Sequence, residues 1–115
     1  VLTASNTDVL LLAYDTALHE CDRAAAAVAA ADLDTVRKAE RRVTQVLLLL
    51  ISAIDPGPDP VLAGRLLTLY QWCLARLAEG HQSDSATYAK VRTVLANLRS
   101  AFAHAAEAAR ESSNA

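Results

Sequence analysis

The side chains best suited to bind a metal or carry a reactive group are three histidines, His19, His81 and His104, and two cysteines, Cys21 and Cys73. A zinc site needs imidazole and thiolate ligands bunched at short spacing. No histidine here has a cysteine or second histidine at that spacing, although Asp15 sits one helical turn before His19. Helical bundles that hold two metals use inward glutamates and Glu-x-x-His pairs. Glu20, Glu40, Glu79 and Glu107 are not followed by histidine three positions later, so no metal or other cofactor is expected. A phosphoryl-carrying bundle would place a cation and a glycine close behind its histidine. His19 instead leads into Glu20-Cys21-Asp22-Arg23 and His104 into Ala105-Ala106-Glu107. With no glycine-rich phosphate loop and no nucleophile beside a base, the chain reads as a non-enzyme.

Both cysteines fall in phase with apolar stripes, where a free thiol behaves as a small hydrophobe, so a disulfide framework is not expected. Eleven basic residues against thirteen acidic ones give a formal charge of -2, with both signs scattered along the chain. The one basic concentration, Arg37, Lys38, Arg41 and Arg42, contains Glu40 and reads as a solvated helix face, so no nucleic-acid partner is expected. At 115 residues the chain suits a single helical-bundle domain. It shows no signal-peptide pattern and no apolar run of the roughly 20 residues that span a bilayer, so a cytoplasmic protein without membrane insertion is expected. Val1 is not an initiator methionine, and a natural segment is expected to precede it.

Four amphipathic helices would position these groups. Ser5-Asn6-Thr7-Asp8 resembles a capping box after a short lead-in over 1–6, and the stripe Leu10, Tyr14, Ala17, Leu18, Cys21, Ala25 and Val28 follows it. Asp32 is placed to cap a second helix, whose buried face is Val36, Ala39, Val43, Val46, Leu47, Leu50 and Ile54 and which runs to about Asp55. The segment Asp55-Pro56-Gly57-Pro58-Asp59-Pro60 cannot continue a helix, because each proline lacks an amide donor and restricts its predecessor. Asp59-Pro60 then forms a cap and first-turn pair for a third helix with Leu62, Leu66, Leu69, Tyr70, Cys73 and Leu77 inward, closed by Gly80. After His81-Gln82-Ser83, a fourth stripe runs through Tyr88, Val91, Leu95, Leu98, Phe102, Ala105 and Ala109 into a tail, 111–115, expected to fray. Short connections favour antiparallel neighbours, and the expected fold is all-α, an up-down-up-down four-helix bundle.

That bundle has more apolar surface than its core can use. In the run Val46-Leu47-Leu48-Leu49-Leu50-Ile51, Leu48 and Leu49 project about 100 to 200 degrees from the buried face at 3.6 residues per turn, with Ile51 on its margin. Trp72 stands about 160 degrees or more from the third stripe. Contiguous exposed apolar side chains are uncommon on a surface that binds nothing.

Thr3-Ala4-Ser5, Leu11-Leu12-Ala13-Tyr14-Asp15-Thr16-Ala17-Leu18, Leu69-Tyr70-Gln71-Trp72 ahead of Arg76-Leu77, and Leu98-Arg99-Ser100-Ala101-Phe102 occur in an order that resembles the flagellin export chaperone family, FliS. The resemblance spans nearly the whole chain. It departs at Phe102, where the family usually has tryptophan, at Val43-Thr44 in place of a common Ala-Gln, and in a longer proline-rich loop. In several members an N-terminal segment carrying tyrosine folds over the client groove. The resemblance implies a cytoplasmic chaperone that binds the C-terminal segment of flagellin, prevents premature polymerisation and assists export. It also implies contacts with the flagellar export gate and, in some members, with other flagellar regulators. Leu48, Leu49, Ile51, Leu67 and Trp72 are the expected client-binding residues, Trp72 as an aromatic anchor. The protein is expected to be a monomer or weak homodimer. The rival expectation is a structural, self-associating bundle whose extra leucines meet a second copy.

Overall fold

Two aspartates set where the middle helices begin. The Thr35 backbone N–H donates to Asp32 Oδ1 at 3.2 Å and the Thr35 hydroxyl to Asp32 Oδ2 at 2.6 Å. The Leu62 N–H donates to Asp59 Oδ1 at 3.1 Å in the same way. Each carboxylate satisfies an amide that the first turn leaves without an intrahelical acceptor. The computed structural model describes residues 2–79 and 84–114, with side chains over 7–79 and 84–113. Its helices are α1 (Leu2–Ala29), α2 (Leu33–Ser52), α3 (Pro60–Glu79) and α4 (Ser85–Asn114).

Three boundaries differ from the sequence expectation. Helix α1 is already helical from Leu2, so Ser5 to Asp8 lie within it rather than at its start. Helix α2 stops at Ser52, where Ala53 is the C-cap, and α4 continues to Asn114, well into the tail expected to fray. Gly80 and the His81-Gln82-Ser83 turn lie outside the described residues. The α1–α2 turn closes tightly: the Asp32 N–H donates to the Ala27 carbonyl at 2.9 Å and the Ala31 N–H to the Val28 carbonyl at 3.1 Å. This doubled closure needs a left-handed residue, and Ala31 adopts φ 57°. In the proline loop, the Gly57 N–H donates to Asp55 Oδ1 at 3.0 Å, a local turn that the prolines cannot themselves supply.

Cross-chain pairs give the helix directions. On α1 and α4, Asp15 pairs with Arg99 at 2.5 Å and Asp22 with Arg92 at 2.7 Å, so one index rises as the other falls. On α2 and α3, Arg37 and Thr44 face Leu74 and Ala78, while Leu50 and Ile54 face Leu62 and Leu66. The bundle is therefore up-down-up-down. Each helix packs on its two sequence neighbours in a ring closed by α1 against α4, with α1 the most extensively packed and α3 the least.

The core runs along the ring's axis. Tyr14, Ala17, Cys21 and Ala24 of α1 meet Val36, Ala39, Val43 and Leu47 of α2, Tyr70, Cys73 and Leu77 of α3, and Tyr88, Val91 and Leu95 of α4. Tyrosines span the diagonals, which the backbones do not approach closely. Tyr14 and Tyr70 share a hydroxyl hydrogen bond at 2.5 Å, and the Tyr14 ring stacks on Phe102 with centroids 5.8 Å apart. Burial pushes both phenol pKa values up, and the shared hydrogen bond raises Tyr14 further. Leu62 departs from its expected inward place, being 46% exposed because the proline loop opens that end. Ala105 and Ala109 are exposed as well.

Candidate functional site

The five residues expected to bind a client lie on three different faces of the bundle. Leu48 is 53% exposed and follows Thr44 by one turn, which places it on the α3-facing margin of α2. Ile51, a further turn along, is half-buried against the core. Leu67, also half-buried, lies on the α2-facing margin of α3 with Leu74, and the antiparallel register sets it opposite Leu48 and Ile51. These three share the α2–α3 seam.

Leu49, 56% exposed, turns the other way. It lines a groove between α1 and α2 with Thr7, Val9, Leu10, Ala13 and Ala53. Trp72 is 36% exposed and lies about 140 degrees round α3 from Leu67, away from the α2–α3 seam. Its indole is covered in part by the Arg76 guanidinium, 5.5 Å from the ring centroid, and Arg76 is held in turn by Glu79 at 2.8 Å. The cation stabilises a flat, outward ring that still offers an apolar edge. Leu48, Leu49 and Trp72 are therefore accessible but do not form a single pocket.

Further apolar surface lies at the end of the bundle where α2 turns into α3. A cavity of about 210 Å³ there is walled by Leu10, Leu50, Ile54, Leu66, Tyr70 and Phe102, and it shares Leu10, Leu50 and Ala53 with the Leu49 groove. Val9, Leu12, Val61 and Leu62 extend this apolar surface and are 46 to 65% exposed. Sequence reasoning missed them. The same test of surplus that singled out Leu48 and Leu49 finds Val9 and Leu12 in the run Val9-Leu10-Leu11-Leu12, since only Leu10 is in phase with the Tyr14 stripe.

The chemistry-bearing side chains are occupied in structural roles. Cys21 and Cys73 are free thiols and buried, and burial pushes their pKa values up to about 12 and about 11. Asp15, one turn before His19, is taken by Arg99. Glu20 is buried beside Arg23 at 3.2 Å. Among the described residues, no three His, Cys, Asp or Glu side chains are grouped as a metal would require. No described helix is long and apolar enough to cross a membrane.

What the arrangement offers, then, is a rigid rod, 52 × 25 × 20 Å, with apolar strips along several seams. Residues 1–109 match the family model described as Flagellar protein FliS. No individual curated protein matches the chain.

Proposed function

The chain belongs to the flagellar protein FliS family, a family of flagellar chaperones, and we propose that its client is the C-terminal segment of flagellin, bound in the cytoplasm before export. The observation that carries this reading is the distribution of exposed apolar residues. Leu48, Leu49 and Trp72 stand on separate faces of the rod, which suits an extended segment wrapped around it better than one knob in one hole. A segment disordered on its own can fold as amphipathic helices against such grooves, each apolar stripe replacing water at a seam. Coupled folding of this kind typically buries on the order of 1,000 to 3,000 Å² and costs about 2 to 5 kcal/mol in ordering. Covering the client's own apolar stripe is what prevents it from polymerising early. The same bound state would be handed to the export gate.

Calorimetric titration with a flagellin C-terminal segment tests the assignment. Leu48→Ser with Leu49→Ser should weaken binding, and Trp72→Ala should weaken it by about 1 kcal/mol or more, with melting nearly unchanged in both variants. Titrations indistinguishable from the wild type would remove these residues from the client site. Loss of the fold in Trp72→Ala would make that ring a structural one.

A further inference from the structure

The α2–α3 face differs from the rest of the molecule in charge as well as in packing. From Arg41 to Ile54 on α2, and from Pro60 to Ala78 on α3, the sequence contains no aspartate or glutamate. Those stretches hold Arg41, Arg42, Arg65 and Arg76, in a protein whose formal charge is -2. The acids are concentrated elsewhere: along α1, where Asp15 and Asp22 are engaged by α4, and near the helix ends.

A groove of about 520 Å³ runs between α2 and α3. It exists because α3 packs less extensively on α2 than α1 does, so the two helices stand apart over the Leu74 end of α3. Its floor is apolar, formed by Leu74, Leu77 and Ala78, and its lip carries Arg37 and Arg41. Glu40 is the one carboxylate lining it. Arg37 and Arg41 are exposed and make no ion pair among the described residues, whereas five other cations, Arg23, Lys38, Arg76, Arg92 and Arg99, are each paired. Further along the same seam come Leu48, Ile51 and Leu67, and beyond them the loop acids Asp55 and Asp59.

We propose that the α2–α3 seam docks an amphipathic helix of polarised charge, its apolar stripe along Leu48, Ile51, Leu67 and Leu74 and its acidic end at Arg37 and Arg41. The inference rests on the reading of the protein as a polypeptide-binding chaperone, and it adds the orientation and charge of what lies in this one seam. Two cations at a groove lip select direction: a helix entering in reverse would bring its acids to Asp55 and Asp59 and lose both arginines. Complementarity of this sort contributes more to choice of partner and register than to raw affinity.

The probes are three synthetic 18-residue helices with one leucine stripe. One carries glutamates in its first two turns, one the same glutamates in its last two turns, and one lysines in place of the glutamates. Binding to the full chain is read by fluorescence anisotropy at two salt concentrations. Each glutamate helix, seated with its acidic end at the arginines, should bind about three- to tenfold more tightly than the lysine helix, the scale of two exposed ion pairs, with the difference shrinking in high salt. Arg37→Glu with Arg41→Glu, both on the surface, should invert the preference while circular dichroism stays unchanged. Equal binding of all three helices, or an unchanged preference in the double variant, overturns the proposal. So does equally tight binding of a DNA oligonucleotide of matched charge, which would show a surface that reads charge alone. Titration of the double variant with the flagellin C-terminal segment separates the two readings. Unchanged flagellin binding alongside failed helix selection leaves the client assignment intact and sinks this inference, whereas helix selection without any flagellin binding does the reverse.

Discussion

Buried polar atoms in this core fall into two kinds, and single substitutions should tell them apart. The Tyr14 and Tyr70 hydroxyls satisfy each other, so removing one leaves its partner buried without a hydrogen bond. Tyr14→Phe or Tyr70→Phe should each cost about 1 to 2 kcal/mol in urea unfolding, and the double substitution should cost less than the sum, because it leaves no orphan. Tyr88 is the opposite case. Its hydroxyl is buried with no hydrogen-bond partner among the described residues, and burial together with the nearby Glu40 carboxylate pushes its pKa up to about 12. Tyr88→Phe should be neutral or stabilising in the same assay. The thiols give a pH dependence of definite sign. Their folded pKa values lie above the ordinary value of 9.0, so their contribution to stability is complete below pH 9 and is lost as pH rises toward about 11 for Cys73 and about 12 for Cys21. Urea midpoints should therefore fall across that window, and less steeply when Cys21→Ala and Cys73→Ala are combined. A flat profile in the wild type would mean that the thiols are not held in the apolar core.

At the scale of the elements, the caps and breaks were legible in the sequence because each rests on the chemistry of one or two residues. Asp32 and Asp59 accept the amides expected of them, and the proline loop interrupts the chain where it must. The hydrogen bonds from Thr35 hold the Asp32 carboxyl below its ordinary pKa, which sharpens the cap at neutral pH. What periodicity could not supply was the course of α1 through Ser5 to Asp8. A capping pattern states that a helix can start there, not that the preceding residues are unable to continue it. The left-handed turn at Ala31 was hidden for a similar reason, since alanine gives no sign of the conformation that glycine would advertise. It yields a direct prediction: Ala31→Gly should raise stability by about 1 kcal/mol, the cost of holding a Cβ at that φ. A lower urea midpoint would place the burden on the added freedom of the unfolded chain instead.

For the molecule as a whole, the stripe positions nearest the axis were read correctly, and the errors lie at the ends. Val36, Val43, Leu47, Cys73 and Leu95 are buried where 3.6-residue spacing puts them. Leu62, Ala105 and Ala109 keep the same spacing and are nonetheless exposed. Helical phase states which way a side chain points and not how far the neighbouring helix extends. The candidate site shows the same limit. Surplus apolar surface at Leu48, Leu49 and Trp72 was visible from spacing alone, but their separation onto three faces depends on the order of helices around the ring. Val9 and Leu12 carry the same surplus, out of phase with the Tyr14 stripe and exposed. On the function proposed above, this spread of apolar strips suits an extended partner.

Sedimentation equilibrium of the protein, alone and with an equimolar flagellin C-terminal segment, tests that conclusion most directly, because it separates an apolar surface kept for a client from one used for self-pairing. The account predicts a monomer or a weak dimer that converts to a complex of one chain with one segment. A stable dimer that the segment fails to dissociate would contradict it.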